Sequence, residues 1–144
     1  MKKGQVFAMD LVSAYGIFML IMIFITTMSV WVAVTITEKE EVDAMSARAI
    51  AGLDYVCYGD GFADGPYNLR KAPVDTFFGL GTQGVREALN PVWNYSLELY
   101  RLDGTVVHSV GEDAPGGATE VRYNRLVYYD GDRAKLEMGV WVER

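Results

Sequence analysis

The sequence predicts an α+β protein. A long N-terminal helix, membrane-spanning in its first half and amphipathic in its second, packs on a four-stranded antiparallel β-sheet head. Three observations carry this expectation. Residues 11–37 contain no Asp, Glu, Lys or Arg. From Val42 the apolar residues recur at steps of three and four, the stride of a helix face. From Trp93 the period changes to two and is punctuated by two Asp-Gly pairs, Asp103-Gly104 and Asp130-Gly131.

The uncharged run defines the first element. At about 1.5 Å per residue, a helix over residues 11–37 reaches roughly 40 Å, more than the roughly 30 Å of hydrocarbon in a bilayer. Leu20, Ile21, Met22, Ile23, Phe24 and Ile25 cover every direction around the axis, so this is no one-sided soluble helix. A buried core helix would have the same composition, but a chain of 144 residues has little else to wrap around it. Lys2 and Lys3 stand before the span, whereas Glu38, Glu40, Glu41 and Asp43 follow it with Lys39 as the counter-charge. The positive-inside tendency then puts the N-terminus in the cytoplasm and the head outside. A secretory signal also begins with lysines, but its apolar core is shorter and ends at small residues, which Trp31-Val32-Ala33-Val34 does not supply.

The helix is expected to continue over residues 38–57. Met45, Ala49, Ile50, Leu53 and Val56 form one apolar face, with Glu38, Glu40, Asp43, Arg48 and Asp54 mostly on the rest of the surface. Gly52 is a mild interruption, costing about 1 kcal/mol relative to Ala. Tyr58-Gly59-Asp60-Gly61 supplies the stop. Residues 58–91, rich in Gly and Pro, read as a loop region in which residues 82–89 form one or two helical turns ended by Asn90-Pro91.

Residues 92–144 read as the β head. Trp93, Tyr95, Leu97 and Leu99 alternate with Asn94, Ser96 and Glu98, and Val106, Val107 and Val110 lie on the strand returning from Asp103-Gly104. After a loop at residues 112–118, Val121, Tyr123 and Val127 lead to Asp130-Gly131, and Leu136, Met138, Val140 and Val142 come back. A sheet with one apolar face needs a cover, and the apolar stripe of residues 42–56 is the available one.

Charge and composition narrow the chemistry. From Glu38 onward there are 11 Lys plus Arg against 18 Asp plus Glu, a net charge of −7, with no basic stripe for nucleic acid. Cys57 is alone, so no disulfide forms within the chain. One His, His108, and one Cys give no metal-ligand spacing, and Asp60, Asp64 and Asp75 fit no calcium loop. The loop glycines lack the Lys-Ser/Thr ending of a phosphate cradle. His108, inside a strand, reads as a strand residue, and no nucleophile and base can be paired. The sequence therefore points away from an enzyme and implies no cofactor. Tyr123, Tyr128 and Tyr129 read either as strand formers or as an outer face for protein or glycan contact. Asn94-Tyr95-Ser96 satisfies the glycosylation sequon.

The remaining signal lies at residues 1–10. Lys2-Lys3-Gly4-Gln5-Val6-Phe7-Ala8-Met9-Asp10 resembles the leader of archaeal type IV pilin-like proteins. The resemblance implies a cytoplasmic cut between Gly4 and Gln5 by a prepilin-peptidase-like protease, a retained apolar helix, and assembly with other pilin-like subunits into a surface filament. Many pilins have Glu at the fifth residue after the cut, which is Met9 here, and the acid of this chain, Asp10, comes one residue later. That shift turns the side chain by about 100° around the helix. Asp10 is read either as an interfacial acid favoured by the helix dipole or as a registration residue pairing with a neighbouring N-terminus. The different-class alternative is an uncleaved, single-pass membrane-anchored extracellular binding module.

Overall fold

The computed structural model describes residues 2–59 and 61–143, with side chains from residue 11 onward. The chain divides between Glu41 and Val42 into two compact units, each described below by itself.

The division falls inside one helix, α1, Lys2–Tyr58. In the N-terminal unit residues 11–40 are exposed on every side. This helix is long and apolar enough to cross a membrane. Its hydroxyls are handled locally. Thr26, Thr27, Thr35 and Thr37 each donate to the carbonyl four residues back, Met22, Ile23, Trp31 and Ala33, at 2.8 to 3.0 Å. Such bonds supply the partner that hydrocarbon cannot.

In the C-terminal unit the remainder of α1 buries Met45, Ala49, Leu53 and Val56 as their spacing predicts, whereas Ile50, expected on the same face, is 37% exposed because it lies one residue round the axis from the buried Ala49. Gly52 also lies on this face. A Cβ built there would stand 2.3 Å from Met138 Sδ, so the missing side chain lets helix and sheet approach closely. After Tyr58 the Gly59 amide still donates to the Tyr55 carbonyl, and Gly61 has a φ of 102°, a backbone state that suits glycine.

The following segment is more ordered than a loop. It contains β1 (Ala63–Gly65), β2 (Asn68–Leu69), α2 (Lys71–Gly79) and α3 (Gly81–Leu89). Within α2, Val74, Phe77 and Phe78 are buried at steps of three and one, and Pro73 is tolerated because the first turn needs no amide donor. Gly79 and Gly81 bracket the break between two helices, with Gly81 at a φ of 69°. Expected turns at residues 82–89 correspond to α3, which Asn90 closes in the left-handed conformation just before Pro91.

The sheet has six strands in the order β1-β2-β5-β6-β3-β4, with β3 Asn94–Arg101, β4 Val106–Gly111, β5 Thr119–Tyr129 and β6 Asp132–Val142. It is a curled mixed sheet, which corrects the expected four antiparallel strands. The four long strands are antiparallel to their neighbours, while β2 joins β5 in parallel through Asn68 and Leu69 opposite Tyr128 and Tyr129. Elements of three and two residues are too short to display a period, so they leave no alternating pattern to read.

Asp130-Gly131 is a two-residue turn with φ of 56° and 84°, joining Tyr129 to its partner Asp132. The other Asp-Gly pair differs. It lies in a four-residue connection, residues 102–105, where the Thr105 amide donates to the Asp103 carboxylate at 2.8 Å. One face of the sheet carries Tyr95, Leu97, Leu99, Leu136, Met138 and Val140 into the common core with α1, α2 and α3. Strict alternation fails at Ser96 and Trp141, which are buried although their register places them on the opposite face.

Candidate functional site

Three features of the described residues could carry function: the bare apolar helix, a polar cluster under the curl of the sheet, and an apolar groove. The helix offers no titratable side chain between residues 16 and 37, and the surface it presents there is mainly apolar.

The polar cluster centres on Asp75 of α2. Its carboxylate accepts a hydrogen bond from the Tyr129 hydroxyl and lies 2.8 Å from His108 Nε2. The His108 ring stacks on Phe78 with centroids 5.0 Å apart, and Lys71 Nζ, 2.6 Å from Asp130, sits 5.6 Å from the Tyr129 ring. The bond from Tyr129, then that from His108, holds the Asp75 carboxyl below its ordinary value. Burial, then the Asp75 carboxylate, pushes the Tyr129 hydroxyl up. The proton therefore stays on Tyr129 and the charge on Asp75 through the neutral range, so this pair ties α2 to the sheet rather than exchanging protons. His108 is thus more than an ordinary strand residue: it is the third member of this tie.

On the opposite face of the sheet, charges compensate one another. Arg122 lies 2.6 Å from Glu120 and 3.1 Å from Glu137, and Lys135 lies 2.7 Å from Glu137. Burial pushes the Glu137 carboxyl up, but the bonds from Lys135 and Arg122 outweigh it and hold the group below its ordinary value. Tyr100 donates to Glu98, and that bond with burial raises its hydroxyl to about 12.

The groove lies on the C-terminal unit between α1, α2 and α3. It encloses about 660 Å³ and is walled by Tyr55, Phe62, Pro73, Phe77 and Leu80, with Arg70 and Thr76 as its polar members. Arg70 is 3.2 Å from Asp64. A second hollow, bounded by Arg48, Gly52, Leu89 and Met138, adjoins the first, with Tyr55 and Ala88 lining both.

Lys2, Lys3, Gly4, Gln5 and Asp10 have side chains outside the described residues, as does Asp60. Asn94 opens β3 half-buried, its carbonyl oxygen 3.3 Å from Arg86 Nη2, and the sequon hydroxyl of Ser96 is buried. Cys57 is free and buried, and burial raises its thiol to about 11. Asp64 and Asp75 are engaged by Arg70 and by Tyr129 with His108, and no three His, Cys, Asp or Glu converge as a metal site among the described residues. The three tyrosines do not share an outer face, since Tyr129 is buried toward α2 while Tyr128 points the other way. The groove was not foreseen. Its one available signal was the spacing of Val74, Phe77 and Phe78 within the Gly/Pro-rich segment.

Comparison with models of protein families, with curated proteins and with solved structures gives no significant match for this chain.

Proposed function

We propose that this chain is a structural subunit, or a pilin-like minor component, of an archaeal type IV pilus-type surface filament, assembled through its apolar N-terminal helix. The observation that carries the reading is the helix itself. Residues 11–37 hold no charge, are exposed on all sides, and need either lipid or like helices around them. Further support comes from the resemblance of Lys2-Lys3-Gly4-Gln5 to a prepilin leader and from the acids that follow the span.

In this mechanism the N-terminus is cytoplasmic and the C-terminal unit extracellular. A prepilin-peptidase-like protease cuts between Gly4 and Gln5, removing the lysines that hold the chain to the membrane face. The freed helices leave lipid and pack side by side, with Asp10 helping to set their register. No reaction is catalysed, and the partners are lipid and other pilin-like subunits.

Mass spectrometry of the mature N-terminus, together with electron microscopy of sheared surface material, tests this. A chain starting at Gln5 and present in filaments is the expected result. An intact Met1 or Lys2 start without filaments overturns it in favour of the anchored binding module. Asp10→Ala is expected to lower incorporation, and unchanged incorporation removes the registration role.

A further inference from the structure

We propose that the groove between α1, α2 and α3 receives a second copy of this chain, and that the segment entering it is the apolar-to-acidic junction of that copy's α1, residues 31–43. The inference rests on the assembly reading above, which supplies neighbouring copies.

The groove has the character of a protein-docking surface. Leu80 and Tyr55 stand on it 54% and 43% exposed, so large apolar side chains project from its rim instead of closing over a small ligand. Its floor is aromatic, from Phe62 and Phe77. Arg70 lines the groove itself, and Arg48 lines the adjoining hollow across Tyr55 and Ala88. Arg70 already engages Asp64, whereas Arg48 makes no ion pair among the described residues. The groove thus offers apolar area near a guanidinium that makes no ion pair among the described residues.

The chain carries the complement. Trp31 and Val34 are exposed at 62% and 51%, and within two turns they give way to Glu38, Glu40, Glu41 and Asp43. An apolar stretch followed by an acidic one, with Glu40 and Asp43 as the acids aimed at Arg48, matches an aromatic floor near that guanidinium. Because the donating and receiving surfaces differ, the contact is heterologous. Repeated without closure, it propagates as an open string instead of stopping at a dimer.

The test places a photo-crosslinking amino acid at Leu80 in the full-length chain in its native cells and irradiates both the membranes and the sheared surface material, using mixed light and heavy isotope-labelled copies. The expected product is an inter-copy crosslink from Leu80 to a peptide within residues 31–43. A crosslink only to lipid, only to another protein, or to none overturns the proposal. So does a homotypic crosslink obtained from Leu126, beside the smaller hollow of about 260 Å³, and not from Leu80. Charge reversal tests the electrostatic part. Arg48→Glu, at an exposed position, is expected to lower the crosslink yield about tenfold, and adding Glu40→Arg to restore it. A yield unchanged by Arg48→Glu, with an unaltered circular dichroism spectrum, removes Arg48 from the contact and overturns the match. The mature N-terminal mass separates the two levels: a Gln5 start with no Leu80 crosslink sinks the groove proposal alone, and an uncleaved chain that still crosslinks sinks the pilin reading alone.

Discussion

His108 on β4 and Tyr129 on β5 lie 3.1 Å apart, Nε2 to hydroxyl, although β6 and β3 separate their strands in the sheet. In a flat sheet three strand spacings alone would separate their backbones by about 14 Å, and Tyr129 also lies four residues along β5 from the residue in register with His108. The sheet therefore curls until its β4 side comes back toward β5, and Asp75 of α2 fastens both residues where they meet.

Asp75→Ala removes the carboxylate that accepts from the buried Tyr129 hydroxyl and leaves it only the longer contact with His108 Nε2, at 3.1 Å. A loss of about 1–3 kcal/mol is expected from denaturant unfolding of the chain in detergent. Tyr129→Phe removes the donor as well, so the double variant is expected to cost less than the sum of the two single changes. Additive costs would show that the tie contributes nothing as a unit.

Acid weakens the C-terminal unit in a defined window. The Asp75 and Glu137 carboxyls are held below their ordinary values of 3.8 and 4.5. A depressed folded value means that the stabilisation is complete above the unfolded value and disappears as pH falls through the folded one. Thermal midpoints are expected to be level from pH 7 to 5 and to drop below about pH 4, with a smaller drop in Asp75→Asn.

Gly52→Ala tests the close approach to Met138. Ala is the better helix former by up to about 1 kcal/mol, but its Cβ would crowd the thioether. With Met138 present, a net loss of about 1–2 kcal/mol is expected, and in a Met138→Ala background the same change becomes neutral or favourable. A stabilising Gly52→Ala in the wild-type background would refute the packing account.

Membrane retention provides a fourth check. Leu20→Arg with Phe24→Arg adds roughly 5–7 kcal/mol to insertion. The double variant is expected to move from the carbonate-resistant membrane pellet to the supernatant or to aggregates, and continued resistance would refute the span.

Cys57 offers a simple probe of the core. Its thiol, raised to about 11, lies where α1 meets the sheet. A thiol reagent is expected to label it at neutral pH only after denaturant is added, with a lag that follows unfolding.

How much of this was legible before the structure varies with the length of each signal. Residues 11–37 and the face from Met45 to Val56 run for many turns and could be read directly. So could the turn at Asp130-Gly131, because its left-handed backbone admits few residue types. The segment from Ala63 to Leu89 could not. Its strands are two and three residues long, and the glycines at 79 and 81, which resemble loop punctuation, mark the break between two helices of nine residues. The polar tie and the groove were hidden for a different reason. Asp75, His108 and Tyr129 come from positions far apart in the chain, and nothing local says that the sheet bends enough to gather them.

The back-bonded threonines of α1 have a last consequence. A rod that returns these four hydroxyls to its own backbone leaves them needing no partner outside it. Those hydroxyls keep the same acceptor whichever apolar medium surrounds the helix.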